Sequence, residues 1–226
     1  SQRESADSYS EVTHRSVYVK LPVLAESLPA GSPVQPGDKF LVWTTTPWTL
    51  TANVALSLHP DLTYVRARSE DEIVILSQGT LASALRPGYE VLGEFPGSAL
   101  VGLRYSGPFD DLPLQVAMNA ETPRHVVGWE DVGETDGTGI VHIAPGCGAE
   151  DFELGKREGL GFIVPVDHSA HFVHGTGEFE GKAALADVDA IFSALDARGR
   201  LYRSQKYTHS YPHCWRCKHE LIFNAV

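Results

Sequence analysis

The stretch WTTTPWTLTAN, Trp43 to Asn53, decides how this chain is read. Thr44, Thr45 and Thr46 run consecutively between two tryptophans, and Pro47 stops them. A β-branched run favours extended backbone. Proline fixes its own φ, lacks an N–H and restricts the residue before it. KFLVWTTT is therefore expected to be a strand that ends at Pro47. Hydroxyls both give and accept hydrogen bonds. The run is either an ordinary strand end or the rim of a pocket that uses hydroxyls. Without a base beside them hydroxyls are poor nucleophiles, and no G-x-S-x-G elbow accompanies these. Positioning water suits them better.

Outward from that stretch, short strands recur between turns. SVYVKLPV alternates Val17, Val19 and Leu21 against Tyr18 and Lys20, as a half-buried strand does. NVALSLH, TYVRAR, EIVILS, YEVLGEF, RHVVGWEDV and GTGIVHIA follow, with a short helix expected at QGTLASALR. Gly 21 and Pro 14 suit many short strands. The pattern is that of a small barrel or sandwich and not of repeated βαβ units. Two longer helices are expected. GAEDFELGKREG is acidic at its start and basic at its end, as the helix dipole prefers. AALADVDAIFSALDARG places Leu185, Val188, Ile191, Phe192 and Leu195 on one face, with Gly199 as its stop.

The bulk numbers bound the class. The 226 residues suffice for one sizeable core, or one domain with an appendage. A net charge of -11 argues against a general nucleic-acid coat. Between Ala197 and His219 there is no Asp or Glu, while Arg198, Arg200, Arg203, Lys206, Arg216 and Lys218 all fall there. That stretch is either a solvated face or a local contact for an anionic partner. The three cysteines, Cys147, Cys214 and Cys217, do not make a disulfide framework. No apolar run reaches the roughly 20 residues of a membrane span. A reducing cytoplasm is the expected compartment.

Three more clusters could carry chemistry. In HCWRCKH the pair Cys214 and Cys217 is half of a four-ligand zinc site. His213 and His219 adjoin it, and the remaining donors are open: a complete site, half of a zinc ribbon, or a redox pair. His168, His171 and His174 are evenly spaced, but the flanking VPVD and GTG resist a helix, so solvated loop histidines are expected. In GTGIVHIAPGCGAEDF, His142 ends a strand and Asp151 opens a helix beside Glu150 and Glu153. A strand–loop–helix turn sets both at one cleft rim. The carboxylate could hold an ammonium there, and the imidazole could line a pocket. Alternatively Asp151 satisfies the helix terminus and His142 is a core residue.

Taken in order, WTTTPWTLTANVALSLHP, GTGIVHIAPGCGAEDF and HSYPHCWRCK resemble the isoleucyl-tRNA synthetases, at the editing domain (the connective polypeptide) inserted in that class I family. The resemblance runs from about Ser16 to the C-terminus. The sister valyl and leucyl enzymes resemble Thr-Thr-Arg-Pro where Thr46 and Pro47 stand here. Cys147 replaces a common aromatic residue, and Thr51 a common proline.

The resemblance implies a mainly β fold, a β-barrel of the valyl/isoleucyl/leucyl-tRNA synthetase editing-domain type with a few peripheral α-helices. It divides the chain into a flexible lead-in at 1–15, the editing barrel at 16–206, and a partial zinc-ribbon-like connection at 207–226. The implied activity is hydrolysis of valyl-tRNA for isoleucine, and of valyl-adenylate, within an ATP-using ligase. A second, smaller sieve of this kind removes what one methylene cannot exclude, and the isoleucine enzyme is itself the type case of that reasoning. By resemblance Thr44, Thr45 and Thr46 bind the carbonyl, the terminal ribose and the attacking water. Asp151 grips the α-ammonium, His142 faces the side chain, and Trp43 walls the adenosine. Editing would need no cofactor, and zinc at Cys214 and Cys217 would close only in the full-length enzyme. The implied partners are the tRNA 3′ end carrying valine, valyl-adenylate and the rest of the synthetase, for a monomeric fragment that contacts no membrane. The rivals are a tRNA-docking module without catalysis, and the editing domain of a valyl or leucyl enzyme.

Overall fold

The computed structural model describes residues 9–214, 216 and 220–223. Its strands are β1 (Tyr9–Pro22), β2 (Lys39–Thr44), β3 (Ala55–Leu58), β4 (Thr63–Ser69), β5 (Glu72–Ser77), β6 (Glu90–Pro96), β7 (Val126–Gly128), β8 (Ile140–Ile143) and β9 (Leu201–Pro212). The α-helices are α1 (Leu81–Ala84), α2 (Pro113–Glu121), α3 (Ala149–Glu158) and α4 (Val188–Ala197). The chain is thus mostly β with few helices.

The strands form two sheets, ordered β6-β4-β5-β2-β1-β9 and β7-β3-β8. Most pairs are antiparallel; β2 with β5 and β3 with β7 are parallel. Where a single closed barrel is expected from the sequence, the ladders give two sheets, and none among the described residues joins them into one ring. β2 and β8 lie against each other without a ladder. The physical reason lies in the opening stretch: β2 stops at Thr44, and Pro47 starts a 3₁₀ helix, Pro47–Ala52, that leaves the sheet.

Two expectations about the ends need correction. Residues 9–15, expected in the flexible lead-in, belong to β1, which pairs with β9 from Tyr9↔Pro212 to Val19↔Leu201. The outer half of β1 is exposed on one face and only half-buried on the other, where Val12 and His14 sit, so its side chains carry no hydrophobic alternation to read. Backbone pairing and cross-strand contacts such as Thr13 Oγ1 to Thr208 Oγ1, 2.8 Å, hold it instead. β9 likewise runs without interruption across the expected boundary at 206, so the stretch to Pro212 is strand. In addition, α2 was not expected from the sequence. Its proline sits in the first turn, where the missing N–H is no loss. The helix expected from Ala183 begins only at Val188. Before it, Asp187 Oδ2 accepts the Ala183 N–H at 2.8 Å and closes a turn.

The main core gathers Val17, Val19, Leu21, Phe40 and Val42 of β1 and β2 against Leu56, Leu58 and Ile140, and against Ile191 and Leu195 of α4. Full burial of each such side chain is worth about 1.5–3 kcal/mol. A second cluster covers the other face of the large sheet, where Tyr18, Leu41 and Leu76 meet Leu81 and Ala84 of α1. A third seats α2 and α3 against the small sheet through Met118, Leu154, Val127 and Ile143. This third cluster fixes α3, and with it Asp151, beside the end of β8.

Candidate active site

The threonine run turns a corner. Thr44 is the last residue of β2, and Thr46 precedes the 3₁₀ helix. The Thr44 hydroxyl accepts the Thr46 N–H at 3.1 Å and lies 3.3 Å from the Thr46 hydroxyl. One 3₁₀ turn later, Thr49 donates its hydroxyl proton to the Thr46 carbonyl at 2.8 Å. The same Thr49 oxygen lies 2.8 Å from His142 Nε2. A hydroxyl has one proton to give. With that proton on the Thr46 carbonyl, the imidazole is the donor, and His142 carries its hydrogen on Nε2. Its Nδ1 is then a bare acceptor, and it is buried without a partner among the described residues. Burial lowers the His142 pKa to about 4, so the ring is neutral at physiological pH.

β8 places His142 opposite Leu56 of β3. The APGCG loop then returns the chain sharply: a Cβ at Gly146 would stand 1.9 Å from the Ile163 carbonyl oxygen, so only glycine fits. α3 starts directly after, with Glu150 and Asp151 in its first turn, where the dipole favours anions. Asp151 Oδ2 accepts the Ala144 N–H at 2.8 Å. Burial pushes the Asp151 carboxyl up; the Ala144 bond draws it back, and the charge of Glu150 adds to the rise. An arriving ammonium would offset that burial cost.

Between these groups lies a cavity of about 450 Å³, lined by Thr44, Thr45, Thr46, Thr49, His142 and Asp151 among others. Trp43 forms one side, with Tyr207 edge-on to it at 4.9 Å. Gly137 lies so close over Trp43 that a Cβ there would approach the ring to 2.9 Å. The structure therefore brings Trp43, Thr44, Thr45, Thr46, His142 and Asp151 to one cavity from two separated stretches. Sequence reading had not singled out Thr49 as a site residue. Its signal was its spacing, three residues after Thr46 and across a proline. Cys147 also lines the cavity, and burial pushes its thiol up, away from the reactive thiolate.

The other candidates lie elsewhere. His168, His171 and His174 are all exposed on a loop, and His174 Nδ1 lies 3.1 Å from Glu180. Cys214 is a free, partly exposed cysteine; Cys217 and His219 lie outside the described residues. Among the described residues no group of three His, Cys, Asp or Glu could hold a metal. Of the basic run, Arg198 pairs with Asp111 and Glu178, Arg200 donates to Ser106, and Arg203 donates to the Ser83 carbonyl and stacks over Tyr18. No helix is long and apolar enough to cross a membrane among the described residues.

The chain has relatives among known proteins. The isoleucine–tRNA ligase of Thermus thermophilus is 40% identical over 226 residues, which is 100% of this chain and 20% of that protein. Isoleucine–tRNA ligase 2 of Bacillus cereus is 38% identical over 226 residues, again 100% and 20%. The isoleucine–tRNA ligase of Methanothermobacter thermautotrophicus is 37% identical over 218 residues, 96% of this chain and 20% of that one. The chain is homologous over its whole length to one segment of the isoleucine–tRNA ligases. It spans about one fifth of the length of these curated relatives. No protein-family model matches it. Among solved structures, the chain resembles GlLeuRS-CP1 with a TM-score of 0.61 and 13% identity, covering 85% of this chain and 99% of that one. It also resembles the Plasmodium falciparum cytosolic leucyl-tRNA synthetase editing domain, with a TM-score of 0.55 and 10% identity, covering 87% and 100%. At such identities these two likenesses concern the fold alone.

Proposed function

We propose that this chain is the editing segment of an isoleucine–tRNA ligase and hydrolyses valyl-tRNA for isoleucine, and valyl-adenylate, at the threonine cavity. One observation carries the reading: in a chain homologous to those ligases, the threonine run, His142 and Asp151 line one cavity. In this reading Asp151 holds the α-ammonium by a charge-assisted hydrogen bond. The hydroxyls of Thr44, Thr45 and Thr46 hold the carbonyl, the terminal ribose and a water. Water adds to the ester carbonyl, the bond to the ribose oxygen breaks, and free valine and the tRNA hydroxyl leave. Trp43 walls the adenosine.

The surroundings favour positioned water over a covalent nucleophile. The imidazole beside the hydroxyls titrates near 4, and its Nε2 already donates to Thr49, so it is a poor base for a threonine. Orientation of water and carbonyl can supply much of the barrier reduction for a labile ester. His142 then serves as a wall against the larger isoleucine. The two sheets would form the barrel of an editing domain, split at the β2–β8 seam. Zinc at Cys214 and Cys217 is proposed only for the whole enzyme, and the step above uses none. The cytoplasm is the proposed compartment.

The test mixes the chain with valyl-tRNA and isoleucyl-tRNA for isoleucine and follows deacylation of each. Selective loss of valine is expected. If neither ester is cleaved faster than in buffer, the hydrolase reading fails and a tRNA-docking module takes its place. Preference for a different amino acid would assign the segment to a sister enzyme's chemistry.

A further inference from the structure

Beneath the threonine corner lies a buried polar network that the hydrolysis above does not use. Its centre is Arg124, on the short link between α2 and β7, with only 2% of its surface exposed. Its Nε donates to the Asn53 carbonyl at 3.2 Å. One terminal nitrogen donates to Gln115 Oε1, and the other pairs with Asp110. Gln115, 1% exposed in the first turn of α2, donates in turn to the Thr51 carbonyl at 2.6 Å. Tyr105 donates to Asn53 Oδ1 at 2.7 Å. Two side chains thus take the carbonyls of Thr51 and Asn53, where the 3₁₀ helix ends. One residue on, the Val54 N–H donates to the Ile143 carbonyl, the neighbour of His142. The turn that carries Thr49 is therefore pinned to β8 on one side and to Arg124 and Gln115 on the other.

Stability alone is a poor reason for this arrangement. A buried guanidinium costs desolvation, and its carboxylate partner Asp110 is itself 39% exposed, so the pair returns that cost only in part. For comparison, an ion pair buried on both sides lies at the opposite end of β2. Arg66 donates to Asp38 at 2.7 and 3.0 Å, and Asp38 also accepts the Gln35 N–H. Neither Arg66 nor Asp38 lines the cavity.

We infer that Arg124 and Gln115 are positioning residues for the proposed hydrolysis: they set the end of the Thr49-bearing turn, and so the Thr49–His142 contact that shapes the side-chain wall. The inference rests on the editing reading. It adds that selectivity depends on a guanidinium fork outside the cavity. A lysine keeps the charge but cannot reach Asn53, Gln115 and Asp110 in one plane.

The test compares Arg124→Lys and Gln115→Leu with Arg66→Lys as control. Deacylation of valyl-tRNA and isoleucyl-tRNA is measured, together with the folding midpoint and the ring-nitrogen NMR signals of His142. Arg124→Lys and Gln115→Leu should lower the valine-to-isoleucine ratio by at least about fivefold, since small displacements near a reacting group have large effects. Both should also shift the His142 ring signals. Arg66→Lys should lower the midpoint while leaving the ratio and the ring signals as they are. If all three variants behave alike, or if the ratio stays constant in the first two, the inference is overturned. Should Arg124→Lys fail to fold, Gln115→Leu, which keeps the Arg124–Asp110 pair, decides. If the unaltered chain cleaves neither ester, the editing reading fails by itself. The His142 ring signals then still decide whether Arg124 and Gln115 set the Thr49 contact.

Discussion

His142 and the trio His168, His171 and His174 occupy opposite environments. His142 is buried, with one ring nitrogen on Thr49 and the other without a partner among the described residues. The trio sits in solvent on a loop. On sequence alone the trio has the more eye-catching spacing. The difference teaches that spacing of histidines says little until the backbone is known. Three residues apart on a helix they would share a face, but here no helix carries them. What sets His142 apart is its strand, which ends against the threonine corner and the start of α3.

The largest expected effect lies on the cavity side. Asp151→Ala should reduce valyl-tRNA deacylation by about 100-fold or more, because a buried ammonium loses its counter-charge. Asp151→Asn keeps an acceptor for the Ala144 N–H and isolates the charge. If Asp151→Asn retains full rate, the ammonium role is lost. A triple alanine variant of the trio, measured alongside, marks the baseline.

Next comes pH. His142 titrates near 6.5 when unfolded and near 4 when folded. Between those values the unfolded chain binds the extra proton, so stability rises with pH across that window. The gap, at about 1.4 kcal/mol per pH unit, amounts to about 3 kcal/mol. This contribution is lost progressively as pH falls from about 6.5 to about 4, and is constant above. Asp151, with its raised carboxyl, acts in the opposite sense near its own titration, so the informative quantity is the difference between the chain and His142→Gln. Denaturant midpoints for the two should converge toward pH 4. Parallel curves would mean that His142 is not held neutral by burial.

A smaller effect concerns selectivity. His142→Ala should admit isoleucine and lower the valine-to-isoleucine ratio by about tenfold, the scale of one methylene in an apolar pocket. An unchanged ratio would place the sieve elsewhere in the cavity. Smallest of all, the trio variant should leave both deacylation rates within about twofold, as surface substitutions do when they touch no special feature. A marked loss there would erase the contrast between the two regions.

Much of the site was legible because its residues are chemically unusual in place. The threonine run before Pro47 and the strand–loop–helix carrying His142 and Asp151 can be seen without coordinates. Thr49 was not singled out, because its role depends on a 3₁₀ turn that begins at a proline and brings it back over Thr46. The β1–β9 ribbon was missed at both ends, since mostly exposed strands need no alternation and their backbone partners lie about 190 residues apart. The α2 helix was missed because its Gln115 and its partner Arg124 are polar residues buried as a network, against the usual pattern.

By itself the sequence determined the strand-rich class, the stop at Pro47 and the polarity of α3. These follow from local chemistry: β-branching, ring closure and the helix dipole act over a few residues. Only the tertiary structure decided that the strands part into two sheets with a seam at β2 and β8. It alone also decided that His142 Nε2 meets the Thr49 hydroxyl, and that a buried guanidinium stands behind the threonine corner. Those outcomes depend on burial and on partners distant in sequence, which only packing brings within hydrogen-bond reach.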